Sequence, residues 1–182
     1  RSEIMAKTYF EIFNRCGLET RMVRSDSGAI GGSLSHEFMV LVDTQSGEND
    51  VLFCESCDYA ANTNHAYTEP LEAQTDGGFG EFKLVDTPDT KSIEDLSAFL
   101  KIPQSVICKA LVYIVDGKEV MVLIRGDEQA EETKLKNALN AIELRMASGE
   151  EIKELMIKNG FDGTVAGFVS SIGMKSCKIV AD

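Results

Sequence analysis

The residue with the clearest chemical use is a lysine set inside an apolar run. In VICKALVYIV, residues 106–115, Lys109 interrupts a stretch of β-branched and other apolar side chains. Burying an ammonium unpaired costs several kcal/mol, so Lys109 either snorkels to an edge or turns its charge into a polar cleft. His36 and Glu37 form a second candidate. They follow SDSGAIGGSLS, which is rich in glycine and serine, and precede an apolar strand. Two readings of that segment stay open: a loop whose backbone approaches a ligand, and a flexible hairpin connection. Cys54 and Cys57 have the spacing of half a zinc knuckle, but no second CxxC follows and His65 is the only nearby imidazole. A structural zinc takes four ligands, so no metal is expected. No Ser-His-Asp order is apparent either. Cys108 neighbours Lys109 in the strand and so points to the opposite face, which reads as core.

The elements that must position these groups follow from periodicity and turn chemistry. Residues 107–115 and 119–124 are two apolar runs joined at Asp116-Gly117, a dipeptide suited to a tight hairpin. Because both runs are nearly continuous, their sheet should be covered on both faces. Residues 2–16 carry a helical apolar stripe that Gly17 can end, and extended runs follow at 19–24, 37–42 and 50–54, suggesting an antiparallel sheet with one helix. Asp58 could cap a short helix, YAANTNHAY. Residues 73–81, AQTDGGFGE, read as a glycine-rich hinge. Beyond it the sequence predicts a strand at 82–86, a turn at Thr87-Pro-Asp-Thr, and a helix capped by Ser92 and Asp95 with Ile93, Leu96, Phe99 and Leu100 on one face. After the Lys109 hairpin it predicts a helix near 130–139 with Lys134 paired to Glu131, and then a strand. A helix opened by Ser148 and Glu151 and closed at Asn159-Gly160 comes next. A strand GTVAGFV and a last strand CKIVAD complete the order, a mixed α/β layout.

Composition bounds the function. The chain has 182 residues, 43% of them hydrophobic, enough to bury a core. Its net charge is −12, with 18 Lys and Arg against 30 Asp and Glu. The acidity is even along the chain, so a broad phosphate-gripping face is not expected, and any nucleic acid must be held mainly by parts outside this chain. No apolar run could span a bilayer and no leader pattern is apparent, which reads as cytoplasmic without membrane attachment. The cysteines, 5 in number, do not form a disulfide framework. An opening on RSEIMAKTYF and a close in KIVAD read as a piece of something longer.

Two stretches resemble one family. DSGAIGGSLSHEFMVL, followed at the right interval by CDYAANTNHA, closely resembles the bacterial-type prolyl-tRNA synthetases just after the second signature motif of their class II catalytic domain. Residues 82–182 resemble the editing domain inserted in that catalytic domain, on TPDTKSIEDLSAFL, a proline, and the strand lysine of VICKAL. The resemblance implies an α+β chain. Residues 1–72 would be an antiparallel-sheet piece of the synthetase core, 73–81 the hinge, and 82–182 a mixed α/β editing domain with a barrel-like sheet and helices. It implies that Gly31-Gly32-Ser33 lines the aminoacylation site, with His36 and Glu37 near the proline pocket. Lys109 falls on the family's editing lysine, Thr87, Ile93 and Leu96 on its small amino-acid pocket, and Asp182 near an acidic position. The family's Gly-x-x-x-Pro loop falls on Gly167-Phe-Val-Ser-Ser171, where serine replaces proline, and the chain stops before a downstream histidine of the family.

The implied reaction is hydrolysis of alanine from mischarged proline tRNA. An ester can be cleaved without a protein nucleophile when water is positioned and the oxyanion meets oriented donors. Lys109 would anchor the terminal phosphate or the amino-acid end, and the 163–173 loop would supply backbone N–H groups. Proline would be excluded by size. No cofactor is implied for this piece; ATP and magnesium, proline, and a homodimer belong to the full-length ligase. Two other readings remain: an inert module that positions tRNA or supports the ligase, and a portion of a proline-activating enzyme whose activity resides in segments absent here.

Overall fold

The computed structural model describes residues 2–25, 35–43, 50–67 and 81–181. The chain divides into two compact units, residues 1–76 and 77–182. The Gly31-Gly32-Ser33 loop, Asp182 and the expected hinge apart from Glu81 lie outside the described residues.

In the first unit, helix α1 (Ser2–Arg15) packs on a sheet of β1 (Thr20–Ser25), β2 (Ser35–Val40), β3 (Val51–Phe53) and β4 (Ala60–Asn62), in the order β2-β1-β4-β3. Gly17 ends the helix at φ +73°, a conformation costly for any residue with a Cβ. Tyr9, Phe10 and Phe13 of α1 surround Phe38 of β2, with Phe10 edge-on at 4.8 Å between ring centroids. The sheet is mixed rather than antiparallel throughout, because β4 runs parallel to β1. The expected helix in YAANTNHAY is absent. Ala60, Ala61 and Asn62 are buried in β4, and a turn at 63–65 follows. Alanine favours a helix in isolation, but here two small residues fit where neighbouring strands come close, and burial overrides propensity.

The second unit is built on the hairpin of β5 (Cys108–Val115) and β6 (Lys118–Arg125), turned by Asp116 at φ 48° and Gly117 at φ 77°. The Asp116 carboxylate also accepts the backbone N–H groups of Ile142 and Glu143 at 2.9 and 2.8 Å, fixing the strand β7 (Leu144–Met146) beside β5. Strand β8 (Lys178–Ala181) lies parallel to β6, giving the order β7-β5-β6-β8. Its described strands form an open sheet with β7 and β8 at the edges. Both faces are covered, as the continuous apolar runs require. Val112 and Met121 pack under helix α4 (Gly149–Lys158) through Ile152, Leu155 and Met156. Tyr113, Val120, Val122 and Ile124 pack under Leu135 and Leu139 of helix α3 (Glu132–Leu139). Leu155 and Met121 are fully buried, and burying a side chain of that size is worth about 1.5–3 kcal/mol.

Helix α2 (Ile93–Leu100) opens on the expected capping box of Ser92 and Asp95. Three expectations fail here. Residues 82–86 form no strand, and Leu84 is 91% exposed. GTVAGFV is a run of turns rather than a strand, since Gly163 and Gly167 sit at φ +84° and +92°, outside strand geometry. Glu131 does not pair with the Lys134 side chain; it caps α3 by accepting the Lys134 backbone N–H at 2.7 Å.

The start of α4 carries a strongly perturbed carboxylate. Glu151 accepts the Arg145 guanidinium at 2.9 and 2.7 Å and the Ser148 N–H at 2.8 Å. The Arg145 hydrogen bonds, followed by that N–H, lower its pKa from 4.5 to about 2. A depressed carboxylate contributes stability above its unfolded value and loses it as the pH falls through the folded one. Glu151 is therefore expected to titrate near pH 2 by carboxyl NMR. Its contribution to denaturant resistance should fade between pH 4.5 and 2, and Glu151→Gln should flatten that part of the stability profile. A midpoint for Glu151 in the ordinary carboxylate range would contradict the geometry.

Candidate functional site

Strand alternation decides where Lys109 points. Lys109 lies opposite Ile124 in the β5–β6 register, and Ile124, Leu111 and Tyr113 belong to the face under α3. Lys109 shares that face, one step from the open end of the hairpin. Its side chain is half-buried, and its ammonium donates to the backbone carbonyl of Glu128 in the loop between β6 and α3. The same loop holds Asp127, gripped by Arg125 through Nε at 3.1 Å and Nη2 at 2.7 Å. The Arg125 hydrogen bond holds the Asp127 carboxyl below its usual range, with a smaller contribution from the nearby Lys109 charge. The lysine thus neither snorkels into bulk water nor lies unpaired in the core; it stands at a polar rim of alternating charge.

The same end of the hairpin receives α2. The Gly126 N–H donates to the Ile107 carbonyl at 2.7 Å and closes the two strands. A Cβ built on Gly126 would meet the Gln104 carbonyl oxygen, Ile93 Cγ2 at 3.0 Å and Ile107 Cβ at 3.1 Å. Ile93 therefore seats directly on this glycine, two residues beyond the partner of Lys109. Ile93 and Leu96 are half-buried on α2, and Ile93 brings an apolar group to the end of the hairpin that carries Lys109. Gly126 and the Arg125–Asp127 pair were not singled out from the sequence as site residues. The available signal was a glycine at a strand end, which marks a close backbone approach.

The remaining candidates sort by element. Thr87 is exposed in the expected turn, its carbonyl accepting the Thr90 hydroxyl at 2.7 Å. Gly167 lies in an exposed turn with open space around its Cα, and the loop's anchors Phe161, Val169 and Met174 pack on the α4 face. That face is the one opposite Lys109, so the glycine loop packs on the other side of the sheet, while Ile93 reaches the Lys109 end of the hairpin through Gly126. Cys108, expected in the core, is exposed; as the first residue of β5 it lies beyond the end of the α4 cover. His36 and Glu37 are exposed on β2 of the first unit, opposite Arg24 and Val23. A depression of about 400 Å³ lies at the far, turn end of the hairpin, lined by Asp116, Lys118, Leu139 and Cys177 among others. It is remote from Lys109 and offers no part of this arrangement.

Residues 87–182 match the aminoacyl-tRNA editing domain family. The chain belongs to that family. The matched stretch begins at the Thr87 turn and takes in α2, the Lys109 hairpin, α3 and α4. Over nearly the whole chain there is also similarity to proline–tRNA ligases. That of Halothermothrix orenii is 42% identical over 99% of this chain, and that of Pelobacter propionicus is 43% identical over 98%. The chain spans 30% of the length of each. A solved structure described as a candidate trans-editing enzyme for prolyl tRNA synthetase aligns with a TM-score of 0.46 and 21% identity, covering 53% of this chain and 57% of the other.

Proposed function

We propose that this editing domain hydrolyses the ester of alanine on mischarged proline tRNA, at the open end of the β5–β6 hairpin between α2 and the rim formed by residues 125–128. The observation that carries the reading is the half-buried Lys109, its ammonium on the Glu128 carbonyl, at the end of the hairpin where Ile93 of α2 seats on Gly126. The substrate's α-amino group is cationic and repelled by that charge, whereas its terminal phosphate is attracted, so Lys109 anchors the phosphate. Water then adds to the ester carbonyl, the tetrahedral oxyanion collapses, and the ribose hydroxyl leaves with a proton from the attacking water. Ile93 and Leu96 accept a methyl side chain and leave no room for a proline ring. Thr87 borders the pocket, and a part for Asp182 rests on the resemblance alone.

In this reading residues 1–72 are part of a class II catalytic domain, with His36 and Glu37 near a proline pocket. The sheet of the second unit closes toward a barrel in the full-length ligase, a cytoplasmic homodimer that uses ATP, magnesium and proline. The net charge of −12 fits a division of labour in which the tRNA body is gripped by parts other than this chain.

Incubating the chain with alanyl-tRNA and prolyl-tRNA of the proline isoacceptor tests the proposal. Alanine should be released and proline retained, with a preference above about tenfold, since a few kcal/mol of steric discrimination suffices. Release of neither would leave an inert tRNA-positioning module as the better reading, and equal release of both would overturn the size-selective pocket.

A further inference from the structure

Cys54 and Cys57 lie outside the editing domain and take no part in the chemistry above. Strands β3 and β4 pair with Phe53 opposite Ala60, and the Cys54 N–H closes the connection on the Tyr59 carbonyl at 2.9 Å. Both cysteines sit within that closed turn, so the backbone keeps their sulfurs together. The Ser56 N–H donates to Cys54 Sγ at 3.4 Å, and the Cys57 thiol lies near enough to that sulfur to help lower its pKa. Both are free thiols, Cys57 exposed and Cys54 half-buried. The Ser56 N–H, then the Cys57 thiol, hold Cys54 below the ordinary thiol range, as donors converging on a sulfur do in other paired-cysteine turns. Cys177 is the contrasting case, pushed up by burial.

We infer that Cys54 and Cys57 are a redox pair, closing reversibly into a disulfide at the expense of a low-molecular-weight disulfide. The Cys54 thiolate attacks one sulfur of the reagent, whose S–S bond breaks and releases one thiolate. Cys57 then attacks the Cys54 sulfur of the mixed disulfide and expels the second thiolate. The two protons lost by the cysteines end on the two reagent thiols, so the chain is oxidised by two electrons and the reagent reduced by two. The exposed Cys57 is placed to resolve quickly, because the turn closed by the Cys54 N–H on the Tyr59 carbonyl holds both cysteines in one short loop. The product ties the β3–β4 turn covalently and leaves the editing domain untouched.

The test uses the whole 182-residue chain and bis(hydroxyethyl) disulfide, a neutral reagent suited to a pair flanked by Glu55 and Asp58. After quenching and alkylation, the tryptic peptide of residues 25–83, which contains Cys54 and Cys57 and no other cysteine, is weighed. The expected result is loss of two hydrogens from that peptide, reversed by dithiothreitol. Cys57→Ser should halt at the mixed disulfide on Cys54, and Cys54→Ser should leave Cys57 reacting about tenfold more slowly than Cys54 does. The inference is overturned if the wild-type peptide keeps both thiols alkylatable while the exposed Cys16 is modified, or if it accumulates adducts without an internal disulfide. The wild-type mapping stands even if a serine variant folds poorly.

Discussion

Lys109→Ala is expected to lower kcat/KM for alanine release from alanyl-tRNA roughly 10–10²-fold, the loss expected when a charge-assisted contact to the phosphate worth about 1.5–3 kcal/mol is removed. The fold should survive the change. Lys109 stands at the open end of the hairpin, and its ammonium engages one backbone carbonyl, that of Glu128, so the melting midpoint should shift by no more than about 1 kcal/mol of stability. Lys153→Ala removes the same formal charge from an exposed site on α4 and should leave the rate unchanged, separating a local anchor from a global charge effect. Lys109→Arg should recover only part of the rate, since a planar guanidinium spreads the charge and demands a different geometry. Added salt should depress wild-type turnover more than that of the alanine variant, because screening acts on a contact the variant lacks. Equal rates for Lys109→Ala and wild type would move the site away from this end of the hairpin.

Much of this arrangement was legible in the residues, and the reasons for the remainder are physical. The Asp116-Gly117 hairpin, both capping boxes and the two-sided burial of β5 and β6 follow from local rules that the tertiary structure reinforces. The strand expected at GTVAGFV illustrates the opposite case. Val165 and Phe168 suit a strand by type, but glycines at 163 and 167 take positive φ and the apolar side chains stay exposed, at 65% and 60%. A similar conflict arises at YAAN, where small helix-formers are drawn into a strand by the space between neighbours. At the site, the lysine was conspicuous because it breaks an apolar run. What faces it was not, since the Glu128 carbonyl is backbone and carries no side-chain signature. The face on which the glycine loop packs depends on contacts between residues 110–123 and 161–177, a non-local matter that spacing cannot settle.

Gly126 supplies the second large effect, and it tests whether α2 and Lys109 form one site. The glycine is not needed for an unusual backbone angle; it is needed because Ile93, Ile107 and the Gln104 carbonyl already fill the space a side chain would take. Backbone at Gln104 cannot swing aside as the end of a flexible side chain could, so Gly126→Ala should cost about 1–3 kcal/mol by overpacking, and Gly126→Val more. Chemical denaturation would read that loss as a lower midpoint with an unchanged slope. The functional consequence is separable from it. The least obstructed relief is for Ile93 to withdraw, which carries α2 away from the hairpin while Lys109 remains tethered to Glu128. Below the denaturation midpoint, the alanine variant should therefore bind substrate with its phosphate anchor intact yet lose discrimination. Release of proline should rise relative to alanine as the apolar wall retreats. Were Gly126→Ala to melt like the wild type, the close seating of α2 would be wrong. Were it to lose stability while keeping full selectivity for alanine, Ile93 would be a packing residue and the pocket would lie elsewhere.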